Sequence, residues 1–571
     1  MKEKKTAKRI KKILAVLILV LANLNLFVYL CEEEIKSTLM DMENMFLKEA
    51  ANMVTFTENG ARSYATTGSE IVDQFAKCGT AMHREYLDVW ADQSRLWADD
   101  EVAALKFPFY LRLITRKVKF NSKETESLQK GAGLKDEAFK RFLWLAKFHP
   151  EEFYRNLWLV PVVGSWKDIW SILAYDYEQN NKNTVNVDQF FDVLKEGIAN
   201  IGTKDLVAKY LPRIRSKSNL SRFSDRSNIL NDLAKRFAKY CGWTYKQYRE
   251  FKSSGKAHDF QQIICARRYD SINWNRIPGK ALLQLISGKF LENHNLVDTY
   301  LDWIKDKGIL AFNGYAYELG HKINLNSNVA TIKTVNAQFN NLIEKARNDN
   351  KTGGINGNVL CALDTSGSMS SPVNGSKVTS YDVCVSMGIY FSELNTGAFH
   401  DVVAMFDDKS SLLTLKGTFF EKLNQIRRHS TAWGSTNFQS IIDLLVDTRA
   451  EHPEIPISDY PTTILVISDM QFNDCGKKTN YETAVERISK VFPEEYAKSL
   501  KFIWWFCAGR KTSDFPSTID HGGNYFFSGF DGSIINFLLN GEIDEKGNKK
   551  TPTMEEIIDT AMNQEILCLV Q

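Results

Sequence analysis

The chain has 571 residues, 44% hydrophobic and 25% charged, and its 72 Lys and Arg against 69 Asp and Glu leave a formal charge of +3. That balance excludes a disordered or fibrous chain and gives length for two large domains or three to four smaller ones. Nine cysteines stand at irregular spacings without a CxxC pair. This argues against a disulfide framework or a zinc site and for reduced thiols in a reducing compartment, so a cytoplasmic location is expected.

Residues 1–12 form a basic segment, and residues 13–31 (ILAVLILVLANLNLFVYLC) are apolar except for Asn23 and Asn25, with Glu32, Glu33 and Glu34 following. A run of about 19 apolar residues behind basic ones is long enough for a single-pass membrane anchor with a cytoplasmic start. No small-residue cleavage site marks a signal peptide. The competing readings are a true start at Met40, Met42 or Met45, and a soluble helix.

Residues 56–323 read as helix after helix. Apolar residues recur at three- and four-residue spacing, as in Phe139, Phe142, Leu143, Leu145 and Ala146, with breaks at His149-Pro150, Pro161, Gly164, Leu211-Pro212 and Ile277-Pro278-Gly279. Few alternating strand patterns occur. An α-helical repeat domain, solenoid or ring, without a tight period is the expected architecture. Residues 324–357 are a bridge, one amphipathic helix over Val329–Ala346 and then an Asn/Gly/Lys-rich linker.

From residue 358 to 545 the pattern becomes α/β. Strands are expected at Asn358–Leu363, Asp401–Phe406, Ser411–Leu415, Thr462–Ile467, Phe502–Cys507 and Asn524–Phe527. Helices are expected at Thr379–Leu394, Phe419–Arg428, Phe438–Thr448 and Tyr481–Val491. Continuous apolar strands alternating with helices predict a doubly wound parallel sheet. Residues 546–571 hold a last helix carrying Met554, Ile557, Ile558, Met562 and Ile566, which must dock on something.

Asp364-Thr-Ser366-Gly-Ser368 follows the first of these strands, Thr436 lies in a Gly-Ser-Thr-Asn loop before a helix, and Asp469 ends the strand TTILVIS. Strand ends of open α/β sheets are where ligands bind. Two carboxylates and three hydroxyls form an all-oxygen set suited to a hard divalent cation, Mg²⁺ first. Hydroxyls leave positive charge on the ion, so an open position would draw a carboxylate or phosphate. The bland alternative is a turn and helix cap.

The D-x-S-x-S motif, loop Thr and strand-end Asp together resemble the metal-ion-dependent adhesion site of von Willebrand A domains. The likeness spans Asn358 to Leu539. It implies that Ser366, Ser368 and Thr436 ligate directly and that Asp364 and Asp469 often act through water. The helical half, through Phe148-His149-Pro150-Glu151, Asn156-Leu157, Pro161 and Gly164-Ser165-Trp166-Lys167-Asp168-Ile169, resembles Ro-type (TROVE) proteins and their uncharacterised bacterial and viral relatives. Lys209–Arg213 and Ile272–Pro278 also look like segments of those relatives. This likeness implies a ring of helical repeats closed by the A domain, with RNA as partner. Thr115 to Asp136 departs from it, standing where the Ro branch has an Arg/Gly-rich segment.

Residues 207–256 are the most basic window, with thirteen Lys and Arg against Asp225, Asp232 and Glu250. Lys209, Arg213, Arg215, Lys217, Arg222, Lys246 and Arg249 are the candidate RNA contacts. Tyr210, Phe223, Phe237, Tyr240, Trp243, Tyr245, Tyr248 and Phe251 are interleaved; exposed, they would stack on bases, and otherwise they are helix core. A smaller basic run, Arg112, Arg116, Lys117 and Lys119, precedes Gly131, Gly133 and Lys135.

No GxxxxGK[ST], HExxH or GxSxG motif occurs, and a lone residue such as His149 reads as packing, so no catalysis is expected. The first expectation is a metal-binding, Ro-like RNA-binding protein serving RNA quality control or ribonucleoprotein assembly. The second is a metal-dependent protein-interaction module, adhesive or scaffolding, that captures an acidic partner and is membrane-anchored if residues 13–31 span a bilayer.

Overall fold

The computed structural model describes residues 54–571 except 80–83, 119–125, 181–184, 216–223, 256–258, 350–354, 356, 373–376, 407, 431–433, 508–513, 530–541, 544–548 and 551. The expectations for residues 1–12, for the apolar stretch 13–31 and for starts at Met40 to Met45 lie outside these residues. Among the described residues no helix is long and apolar enough to cross a membrane.

Two three-residue strands, β1 (Val54–Phe56) and β2 (Arg62–Tyr64), precede the first helix. Helices then follow one another from Glu70 to Asp349 because apolar residues return at helical spacing. The helix Val187–Ala199 is typical: Asn186 caps it by accepting from the Asp188 amide, and it buries Val187, Phe190, Phe191, Val193 and Leu194 on one stripe. Neighbours in sequence pack together, as Glu101–Arg112 does with Lys135–Phe148 and Leu159–Val163 with Trp166–Asn180. One hairpin interrupts them, β3 (Arg116–Val118) antiparallel to β4 (Ser127–Gln129). Strands of three residues are too short to leave an alternating pattern. A satellite core around Trp274, Leu282, Ile286, Tyr300 and Ile304 joins the helices Gly279–Ile286 and Val297–Ile304 to Val329–Asp349.

The α/β part is built on β5 (Val359–Leu363), β6 (Val402–Met405), β7 (Ser411–Thr414), β8 (Thr463–Ser468), β9 (Lys501–Phe506) and β10 (Asn524–Ser528). They form one six-stranded sheet in the order β10-β9-β8-β5-β6-β7. All pairs are parallel except β6 with the edge strand β7. The central strands β5 and β8 are buried at every residue, as expected where both faces are covered. The helix Ser380–Leu394 lies on β5, close enough that Gly388 has the Leu363 side chain where a Cβ would stand. The sequence pattern did not foretell the helix Glu494–Ser499, whose six residues are too few to show a period.

The helical and α/β parts meet at both ends of the helical run. At its start, Tyr64 exchanges backbone hydrogen bonds with Phe515, and the Ser528 hydroxyl donates to the Phe75 carbonyl. At its end, His321 sits 3.0 Å from Asp382 and Phe339 stacks on Phe419. The helix Met554–Met562 packs on Glu101–Arg112, and Gln571 exchanges hydrogen bonds with Asn156. Residues 56–571 are accordingly one compact unit, and the core runs from Ala61 to Val570.

Gly79 marks a join of backbone against backbone. A Cβ there would stand 2.4 Å from the Gly529 nitrogen and 2.5 Å from the Ser528 carbonyl carbon, which are backbone and cannot swing aside. Gly79→Ala should cost about 1–3 kcal/mol by thermal or urea unfolding. Gly308→Ala, which meets nothing within 4 Å, should stay within about 0.5 kcal/mol of the parent.

Candidate metal centre

The strand order reverses between β5 and β8: the chain leaves β5 toward β6 on one side and reaches β9 from β8 on the other. At such a reversal the loops after the two strands part and open a crevice at their carboxyl ends. Asp364 and Asp469 are the residues that follow β5 and β8, and the Asp364 amide donates to the Ile467 carbonyl at 3.0 Å. The sequence-chosen carboxylates therefore lie side by side.

Both are buried. Asp364 accepts from the Ser366 amide (2.9 Å) with Oδ1 and from the Ser468 hydroxyl (2.5 Å) with Oδ2. The hydroxyls of Ser366 and Ser368 stand 3.1 Å apart, and the Ser368 side chain hydrogen-bonds Asp469. Asp469 Oδ1 also accepts from the Gln471 amide. Four of the five predicted ligands are thus joined in one hydrogen-bonded set. Thr436 reaches the same rim through its backbone, its carbonyl accepting from the amide of Asn473 four residues beyond Asp469.

The electrostatics are those of two carboxylates buried side by side. Burial pushes the Asp364 carboxyl up against the pull of Ser468 and Ser366, and burial together with the Asp364 charge pushes Asp469 up to about 7. Like charges in a desolvated place disfavour ionisation, and a divalent cation reverses both causes. Among the described residues no three His, Cys, Asp or Glu gather as a metal cluster. The set that does gather is two carboxylates with hydroxyls, which fits a hard cation such as Mg²⁺. Cys384 and Cys507 lie beneath it as buried thiols, pushed well up by burial.

Sequence reasoning missed Ser468, whose hydroxyl fixes Asp364 while accepting from the Met470 amide. It also missed the brace around Gln471. The Gln471 amide nitrogen donates to Asp514, its side-chain oxygen accepts from the Glu58 amide, and Thr57 donates to the Phe472 carbonyl. A hydroxyl residue just before the strand-end Asp was a usable signal for Ser468. Partners more than 400 residues away left none.

In the basic window, Lys209, Arg213, Lys246 and Arg249 are exposed and Arg215 is half-buried, while Lys217 and Arg222 lie outside the described residues. Of the interleaved aromatics, Phe223 lies outside the described residues and Tyr210 is half-buried. Phe237 and Tyr248 are core, because helical spacing puts Phe237 on the stripe of Leu233 and Ala234, and Tyr240, Trp243 and Phe251 pack against that core. Tyr245 is exposed. His149 stacks on Trp97 at 3.6 Å, a packing role.

Residues 358–566 match a family model described as a domain of unknown function (DUF7788), and residues 57–209 match another domain of unknown function (DUF2828). The first range holds all six strands and all five candidate ligands. The chain is also similar to the uncharacterized protein L728 of Acanthamoeba polyphaga mimivirus, 23% identical over 529 residues, which cover 86% of this chain and 85% of that protein. That match runs across both the helical and the α/β parts.

Mg²⁺ should raise the unfolding temperature, by about 2.7 kcal/mol of stability at about 100 times its dissociation constant. Asp469→Asn should remove that gain and, because it removes the like-charge repulsion, should be more stable than the parent without metal. Asp469 has a folded value near 7 against an ordinary 3.8, so its contribution is fully present below 3.8 and lost as pH rises through 7. Metal-free melting curves between pH 5 and 8 should fall for the parent and flatten for Asp469→Asn.

Proposed function

We propose that this protein binds a divalent cation, Mg²⁺ first, at Asp364, Ser366, Ser368, Thr436 and Asp469, and binds RNA on the cationic side of its helical part, without catalytic chemistry. The sheet order supports reading the α/β part as a von Willebrand A-type domain. A helical run whose first and last segments both pack on that part supports the Ro-type layout, a ring of helices closed by the A domain. RNA quality control or ribonucleoprotein assembly is the role that likeness implies.

The observation that carries the RNA reading is an uncompensated pair of cations. Lys252 is half-buried on the helix Tyr245–Ser254, donates to the Lys209 carbonyl, and is pushed down by burial and by Arg213, and among the described residues no carboxylate pairs with it. Cations held together without an acid are an anion site in waiting. Arg226 and Arg236 are instead paired, with Glu178 and Asp188.

A second reading rests on Ser368, half-buried at the rim of the cation site. An ion there could accept an Asp or Glu of a protein partner. Asp364→Ala would then abolish partner capture and leave RNA affinity intact.

The test is titration of the full chain into fluorescent single-stranded and hairpin RNA across salt. Affinity should fall steeply with salt, and Arg213→Gln with Lys252→Gln should flatten the log–log slope by about 0.7 per lost contact on single strands. No binding at low salt by folded protein would end the RNA reading and leave the cation site as the functional half.

A further inference from the structure

Two basic runs far apart in sequence meet in the fold. One is Arg112, Arg116 and Lys135; the other is the window from residue 207, entering through Arg226 in the first turn of Asp225–Tyr240. Between them stands Lys167, in the first turn of the 15-residue helix Trp166–Asn180.

Their centre is Asp168, which is fully buried. Its Oδ2 accepts from Arg112 Nε at 2.8 Å and Nη2 at 2.6 Å and from the Ser165 amide at 2.9 Å, while Oδ1 lies 3.8 Å from Lys135 Nζ. Arg226 is held by Glu178 at 2.7 Å and by the Ser171 carbonyl at 3.4 Å. The nearby carboxylates are engaged, Asp168 by Arg112, Glu178 by Arg226 and Asp136 by Lys140. Lys135, Lys167 and Arg116 remain in excess.

Each of these three carries a sign of that excess. Lys167 is exposed and has no ion-pair partner among the described residues. The Arg116 Nε is buried with no hydrogen-bond partner. Lys135 is half-exposed, and burial, with Arg112, Lys167 and Arg226 added, pushes its ammonium down in spite of Asp168. Lys135 also opens a 14-residue helix, so two helix N-termini add their partial positive charge at the same place. Arg112 and the Ser165 amide engage only Oδ2 of Asp168, and Oδ1 is buried without a hydrogen-bond partner.

We propose that this junction seats consecutive phosphates of an RNA backbone, with Arg116, Lys135 and Lys167 as the contacts and Arg226 leading on to the window. The inference rests on the RNA reading above and says where the strand lies. The cations come from β3 and from the starts of three helices, a wider spread than one phosphate covers. No exposed aromatic ring is part of the set, so recognition here is of backbone charge and independent of base identity.

The experiment compares the full chain with Lys135→Gln, Lys167→Gln and Arg116→Gln, using fluorescent oligouridylate and oligoadenylate over a salt series, with melting curves for each variant. Lys135→Arg serves as the charge-preserving variant. Lys490→Gln, which alters a lysine paired with Glu486 in the α/β part, is the control. Each neutralisation should weaken both RNAs several-fold and equally and reduce the salt slope by about 0.7, while Lys135→Arg and Lys490→Gln keep parental binding. If the parent binds but Lys167→Gln and Lys135→Gln keep its affinity and slope, the seat is wrong and the RNA reading stands. Equal loss in Lys490→Gln would also overturn the seat, as general charge. A folded parent that binds neither RNA removes both.

Discussion

A parallel sheet must be buried on both faces, because its continuous apolar strands have no polar side to give to water. Here that demand is met partly from outside the α/β segment. The Ser380–Leu394 helix covering β5 is itself covered by the helices Ala316–His321 and Val329–Asp349. At the other edge, the helix Glu70–Cys78 packs on β10, and Gly79 lets its end touch the backbone at Ser528 and Gly529. The last helix then returns from the sheet to the helical run. The two architectures therefore share one core, and neither end of the helical run is independent of the sheet.

Buried charge is handled in two opposite ways. In the helical part the buried arginines are paired with carboxylates. The fully buried Arg141 gives hydrogen bonds to Glu137, Gln93 and Gln74 and lies over the Phe107 ring, and Arg112 is matched to Asp168. Removing one partner from such a set strands a charge in a dry interior, so these networks fix the packing around them. At the β5 and β8 ends two carboxylates are buried beside each other with hydroxyls and amides only. The contrast with the paired arginines sets the second place apart as the candidate site.

The brace around Gln471 links the two parts beside these carboxylates. Residues 57–60 bond to the loop after Asp469, and the same loop bonds to Thr436 and Ser435. The geometry around Asp364 and Asp469 is therefore held by the start of the helical run as well as by the sheet.

The elements of the α/β part were legible in the sequence because strands such as VLCAL and TILVIS are unbroken apolar runs with turn residues on either side. Asp364 and Asp469 could be chosen because a strand end is a local property. The helices of the other half were legible for the same reason, while β3, β4 and the helix Glu494–Ser499 were too short to carry a period. The aromatic residues of the basic window show the limit. Phe237 and Tyr248 could have faced water or core, and one strand of sequence does not say which side of a helix is covered. Only the tertiary structure decided that, along with the union of two architectures in one core, the role of Ser468 and Gln471, and the meeting of Lys135, Lys167 and Arg226 around Asp168. Periodicity and strand ends are written within a few residues of each other, whereas packing partners and summed charge depend on which distant segments the fold brings together.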